Sequence, residues 1–198
     1  MRFSKGRSNV EVSHKMVEGG ISIIQYREKH SDLSFSFMLE ECREIRKITK
    51  DHNVQFIVND YPSLALACEA DGIHLGQDDL PVDIVREIVG PEVMIGISTH
   101  SPEEARKALG EDIDYIGVGA LFGAGVKKVN AVGVGYQEYI ESNIDIDYVT
   151  IGGIKEHNIE SVLERGAKTV CCVTEIVGAE DIVQKVQALN RIFQKFKK

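Results

Sequence analysis

The chain has 198 residues, of which 43% are apolar and 27% charged, enough for one globular domain with a sizeable core. Its net charge of −8 and pI near 5.3 argue against a nucleic-acid-binding face, and the tail Lys195, Phe196, Lys197, Lys198 is too short to reverse that. No apolar run approaches the ~18 residues needed to span a bilayer, and no apolar stretch follows the basic N-terminus to make a signal peptide.

In chain order, strand-like and helix-like segments alternate. Ser8-Asn9-Val10-Glu11 reads as a capping box opening a helix with Val12, Met16 and Val17 inward, stopped by Gly19-Gly20. A strand-like run at 21–27 follows, then a helix over 34–50 with Met38, Cys42, Ile45 and Ile48 on one face. Strands are expected at 55–60 and 72–76. Pro81 opens a short helix with Val82, Val85, Ile88 and Val89 inward. After a strand at 93–99, Ser101-Pro102-Glu103-Glu104 combines an N-cap, a proline at the first helical position and a capping box. Strands at 115–119 and 148–153 flank a weakly signalled helix near 135–142. A helix at 157–165 ends at Gly166, and a seventh strand is expected at 169–173. The last helix, from Ala179, presents Ile182, Val183, Val186, Leu189 and Phe193.

Most strand candidates are short apolar runs without clean alternation, as in strands buried on both faces of a parallel sheet. Repeated strand–helix units without a linker imply one α/β domain over residues 1–198, a (β/α)8 barrel or a doubly wound sheet. A closed barrel needs eight strands; seven are visible, and Met1-Arg2-Phe3 is too short to be the first. The expectation is a barrel lacking its first strand here. That strand lies upstream, or the barrel is open, or a neighbour completes it, which would make the protein a homo-oligomer.

Cys42, Cys68, Cys171 and Cys172 form no CxxC pair, and the adjacent two would point to opposite faces of a strand. They read as reduced thiols of a cytoplasmic protein.

Parallel α/β folds place their sites at the C-terminal strand ends. Five successive ends here carry polar or charged groups: Gln25, Arg27, Glu28 and Lys29; Asn59-Asp60; Gly76-Gln77-Asp78-Asp79; Ser98-Thr99-His100; and a Gly-rich loop with Lys127-Lys128. The last two carry Gly152-Gly153 and Val173-Thr174-Glu175. Asp60 and Asp79, hard carboxylates at adjacent ends, suit Mg²⁺ bridged to a substrate phosphate. Arg27, Lys29 and Lys127 are cations for a diphosphate. Gly153, Val173 and Thr174 match a barrel's phosphate cradle of backbone N–H groups. The partners read from these ends are small phosphorylated molecules.

The motifs resemble those of the thiamine phosphate synthase family over essentially the whole chain. They are Gln25-Tyr26-Arg27-Glu28-Lys29, Asn59-Asp60, His74-Leu75-Gly76-Gln77-Asp78-Asp79, Ser98-Thr99-His100 and Gly152-Gly153-Ile154. The resemblance implies a (β/α)8 barrel that joins a hydroxymethylpyrimidine diphosphate to a thiazole phosphate, giving thiamine phosphate and pyrophosphate. It implies that the diphosphate leaves first and that the thiazole nitrogen attacks the resulting pyrimidine cation. By the same resemblance, Asp60 and Asp79 hold Mg²⁺, while Arg27, Lys29, Asn59 and Lys127 hold the diphosphate with Ser98 beside it. Gln25 orients the pyrimidine; Gly153, Val173 and Thr174 receive the thiazole phosphate.

Two departures stand out. The family's first strand, usually ending in Thr-Asp, is absent. The loop after the sixth barrel strand normally carries two threonines before its lysine, and here those positions are Ala124 and Val126. A charge-assisted hydrogen bond is worth roughly 1.5–3 kcal/mol, so backbone N–H groups of residues 123–127 would have to substitute. Three rivals remain on the sequence. A thiazole tautomerase would place a histidine where Ala120 stands. A non-catalytic thiamine-precursor binding protein would keep the cradle without turnover. A phosphate-binding isomerase would need an acid–base pair such as His74 and His100, although His74 sits in an apolar run where a satisfied core histidine is the plainer reading.

Overall fold

A computed structural model describes residues 3–28, 33–123 and 130–196. Helix α1 (Asn9–Glu18) starts at its expected cap, the Ser8 hydroxyl accepting from the Glu11 N–H at 3.1 Å. Strand β1 (Ile23–Tyr26) leads to α2 (Phe35–Asp51), capped by Ser34, and on to β2 (Gln55–Asn59) and α3 (Pro62–Ala67). Then come β3 (Gly72–Leu75), α4 (Val82–Val89), β4 (Met94–Thr99), α5 (Pro102–Ala108) and β5 (Tyr115–Val118). The chain continues through α6 (Val134–Asn143), β6 (Asp147–Thr150), α7 (Ile159–Leu163), α8 (Thr174–Val177) and α9 (Ile182–Phe196).

The six strands are parallel and paired in chain order, the order of a TIM-type α/β barrel. Strand residues alternate between two environments. Ile24, Phe56, Val58, Ile73, Leu75, Ile95, Ile116 and Val118 are buried beneath the helices. Their neighbours Gln25, Asn59, His74, Ser98 and Tyr115 face an interior cavity of about 1860 Å³.

The helices bury the faces their periodicity implies, each enclosed Val, Leu or Ile contributing about 1.5–3 kcal/mol. Helix α2 buries Met38, Cys42, Ile45 and Ile48; α9 buries Ile182, Val186 and Leu189. The expected inward sets need trimming. Ile88 is 40% exposed because α4 rests on Val82, Val85 and Val89, three residues at i, i+3 and i+7. Val183 and Phe193 are only partly buried. Helix α3 carries no amphipathic run long enough to announce itself; it is started by Pro62 and held by buried Leu64 and Ala65.

The seventh expected strand, 169–173, is reduced to a single bridge between Thr150 and Val170, supported by Thr150 N–H donating to Thr169 O at 3.0 Å and Cys171 N–H to Thr150 O at 2.9 Å. Among the described residues the sheet is open, with no ladder between β1 and 169–173, so nothing on that side extends the bridge. Helix α1 lies over this side, packed between α2 and α9. Arg7 fastens the approach to α1 by donating from its guanidinium to the carbonyls of Val177 (3.0 Å) and Ala179 (2.7 Å).

The N-terminal face is closed by a clamp used twice. Asp71, just before β3, accepts the Phe56 N–H of β2 at 2.8 Å and both terminal nitrogens of Arg46 at 2.8 Å. Asp114, just before β5, accepts the Ile95 N–H of β4 at 2.8 Å and is paired with Arg86 at 3.3 Å. Each carboxylate ties one strand to its neighbour and to a helix. All four cysteines are free thiols.

Candidate active site

The cavity collects groups from across the C-terminal half of the sheet. Gln25 and Arg27 reach it from the end of β1, Asn59 from β2 and Ser98 from β4. Gly153, Val173 and Thr174, from the stretches after β6, also border it. The seven expected residues that lie within the described chain at this cavity are therefore brought together. Asp60 and Asp79 are not part of its lining; they follow β2 and β3, which are paired neighbours, on the same face. Lys29 and Lys127 fall outside the described residues, as do Ala124 and Val126.

Local sequence explains these placements. After Tyr26 the chain turns away from the sheet, and Glu28 is anchored by Asn9, whose amide donates to Glu28 Oε1 and to the buried Glu41 Oε2, each at 3.0 Å. Tyr26 donates to the same Glu41 oxygen at 2.9 Å. These bonds fix the backbone on both sides of Arg27. Burial pushes the Cys171 thiol up, while the guanidinium of Arg27 acts in the opposite direction. The Asn59 side-chain amide makes no hydrogen bond among the described residues and is left to the cavity.

Asp60 sits at φ 68°, a left-handed conformation that Asp tolerates better than most residues. Its N–H donates to His74 O at 3.0 Å, tying it to β3. Asp79 Oδ2 accepts the Gly76 N–H at 2.7 Å, folding the 76–79 turn back over the end of β3. A Cβ at Gly76 would meet that oxygen at 2.9 Å, so glycine keeps the turn tight. Gln77 ties the same turn to β4 by donating to Ser98 O at 2.7 Å. Among the described residues no three His, Cys, Asp or Glu side chains cluster closely enough to hold a metal. Two carboxylates at adjacent strand ends nonetheless fit a hard divalent cation that takes its remaining oxygens from substrate and water.

The turn after β6 is built from glycine. Gly152 and Gly153 adopt φ of 91° and 69°, and a Cβ on Gly153 would meet Gly123 O at 2.3 Å. No other residue fits this approach. Asn158 holds the turn from below, donating to Gly153 O at 3.1 Å and accepting from Lys155 N–H at 2.8 Å. Lys185 bridges Glu156 (2.6 Å) and Glu175 (3.1 Å), joining this turn to the helix that begins at Thr174.

One arrangement was not legible beforehand. His74 is 7% exposed, with Nδ1 3.1 Å from the Tyr115 hydroxyl and Nε2 2.8 Å from Ser98 Oγ. The reading of His74 as a satisfied buried histidine is correct, yet its face is toward the cavity. Tyr115, an aromatic at the start of β5, carries no local mark of a site residue. The available signal was Gly96 and Gly117 in the neighbouring strands, because both make room for these rings. His100, the other candidate acid–base histidine, is engaged through Nδ1 with the Gly119 carbonyl, and its backbone N–H donates to Glu104 at 2.8 Å.

Comparison with known proteins agrees with this layout. Residues 2–176 match the family profile described as thiamine monophosphate synthase. The chain is 53% identical over 195 residues to the thiamine-phosphate synthase of Pelotomaculum thermopropionicum, covering 98% of this chain and 88% of that protein. It is 48% identical over 191 residues to that of Lawsonia intracellularis, covering 96% and 87%. The solved structure of thiamine phosphate pyrophosphorylase from Pyrococcus furiosus superposes with a TM-score of 0.90 at 31% identity, covering 98% of this chain and 93% of that one. The strand order and these matches agree: the chain belongs to the thiamine monophosphate synthase family.

Proposed function

We propose that this chain condenses hydroxymethylpyrimidine diphosphate with thiazole phosphate, releasing pyrophosphate and forming thiamine phosphate. The observation that supports the reading is one cavity lined by two sets of groups suited to anions: Arg27, Asn59 and Ser98 from the ends of β1, β2 and β4, and Gly153, Val173 and Thr174 from the stretches after β6. A substrate pair with one diphosphate and one monophosphate fits that division.

In this reading Gln25 orients the pyrimidine, and Arg27, Asn59 and Ser98 bind the diphosphate. Departure of the diphosphate generates the electrophile, so stabilising the leaving anion matters more than a general base. Asp60 and Asp79 would hold Mg²⁺, which when bound neutralises charge on the leaving group. The Gly-rich rim holds the thiazole phosphate so that its ring nitrogen faces the pyrimidine carbon. Lys29 and Lys127, assigned to the diphosphate by resemblance, lie outside the described residues. The tautomerase reading loses ground because Ala120, at the position where that activity would need a histidine, offers no proton-transfer group. We place the enzyme in the cytoplasm on its membership of a family of thiamine-phosphate synthases; separately, no described helix is long and apolar enough to cross a membrane.

The test mixes purified protein with both substrates and Mg²⁺ and follows thiamine phosphate. Turnover that is lost with EDTA and in Asp79→Ala supports the reading. Tight binding of both substrates without turnover would replace it with a precursor-binding role, and isomerisation of the thiazole alone would replace it with a tautomerase.

A further inference from the structure

The Tyr115, His74 and Ser98 side chains form a hydrogen-bonded chain across three neighbouring strands. The register places His74 of β3 opposite Gly96 of β4, and Gly96 opposite Tyr115 of β5. A Cβ on Gly96 would lie 2.1 Å from Tyr115 Cζ, so only glycine lets the phenol ring lie across β4 to reach the imidazole. The two rings stack with centroids 5.6 Å apart. Ser98 lies opposite Gly117, where a Cβ would meet His74 Cε1 at 3.1 Å. Two small residues thus make the space that this three-residue chain occupies.

A neutral imidazole has one N–H and one acceptor nitrogen, so the chain has a direction. A phenol is a stronger acid and a weaker base than a serine hydroxyl. The favoured pairing therefore has Tyr115 donating to His74 Nδ1, and His74 Nε2–H donating to Ser98 Oγ. In that direction Ser98 receives a hydrogen bond and keeps its own proton free to donate. Among the described residues the Ser98 hydroxyl has no other partner, and it borders the cavity. The opposite direction would turn the Ser98 proton into the imidazole and present only lone pairs to an incoming anion.

We propose that Tyr115 and His74 are positioning residues that fix Ser98 as a hydrogen-bond donor to an anionic phosphoryl oxygen of the substrate. This deepens the functional reading above and rests on it for the identity of that anion. The preorganised donor faces the site where negative charge grows as the diphosphate departs, so its proton need not reorient at the moment of reaction.

The test begins with the free protein. Nitrogen-15 NMR on labelled histidine is expected to show His74 as the Nε2–H tautomer, and Tyr115→Phe is expected to erode that preference while leaving the ring over Gly96. In turnover, Tyr115→Phe is expected to lower kcat roughly 10-fold, the scale on which supporting partners act on the groups they orient, with KM for thiazole phosphate held within about two-fold. Made in a Ser98→Ala background, the same substitution is expected to change kcat by less than about two-fold, since nothing remains to aim. An Nδ1–H tautomer in the unsubstituted protein overturns the proposal, and so does a Tyr115→Phe loss of equal size in both backgrounds. Because the tautomer is read without substrate, a chain that made no thiamine phosphate would overturn the functional reading while the NMR still decided the direction of the relay.

Discussion

The two ends of the sheet use the same residue types for opposite purposes. At the N-terminal face, Asp71 and Asp114 each take a backbone N–H from the neighbouring strand and an arginine from a helix. At the C-terminal face, Asp60 and Asp79 stand at adjacent strand ends, and Asn59 and Ser98 line a cavity. Charges tied to strand and helix at one end hold the fold together, while at the other end the proposed role of the polar groups is to meet substrate. A carboxylate's role in this fold therefore follows from which end of a strand it occupies.

The sharpest break in this comparison is Ser98→Ala. It should lower kcat about 10²–10³-fold, the size of one lost donor to a developing anion, or about 3 kcal/mol. Its stability to thermal unfolding should also fall, by about 1–3 kcal/mol, since the hydroxyl is a hydrogen-bond partner of the buried His74 imidazole. Asp71→Ala should lower stability alone. Losing the Phe56 N–H and Arg46 partners together should cost about 2–3 kcal/mol of stability, seen in urea unfolding, with kcat of the folded fraction unchanged. Asp114→Ala, whose carboxylate is 45% exposed against 31% for Asp71, should cost about half as much. A kcat loss in either variant at full folding would break the division between the faces.

Gly153→Ala sharpens the comparison within the C-terminal face. A Cβ there collides with Gly123 O and sits at positive φ, for about 1–2 kcal/mol of strain. The expected readout is a raised KM for thiazole phosphate, with KM for the diphosphate substrate unchanged. The smallest effect is expected from Lys185→Met, which cuts the bridge from α9 to Glu156 and Glu175. The nearby carboxylates raise the Lys185 pKa in the folded state. Its contribution is therefore fully present below the unfolded lysine value and lost as pH rises through the higher folded one. The stability difference from Lys185→Met should be at most about 0.5–1 kcal/mol, flat from about pH 6 to 9, and should vanish only in strong alkali.

Much of the fold was legible because its signals are local. The caps at Ser8 and Ser101, the apolar face of 34–50 and the buried runs at 55–60, 72–76 and 93–99 all act within a few residues. Helix α3 escaped because six residues carry less than two turns of pattern. The 169–173 segment read as a strand from its own residues, but a ladder also needs partners, and the described chain supplies one bridge.

The site divides in the same way. Strand-end position is a property of the chain, so Gln25, Arg27, Asn59, Ser98 and Gly153 were named from the sequence, and the structure gathers them at one cavity. The amino-acid sequence by itself determined which residues stand at strand ends. Only the tertiary structure decided that Tyr115 reaches His74 across Gly96 and that His74 reaches Ser98. Those contacts join β3, β4 and β5 through their register, at sequence separations of 41 and 24 residues. Register is set by the packing of the whole sheet against its helices, and no local pattern encodes it.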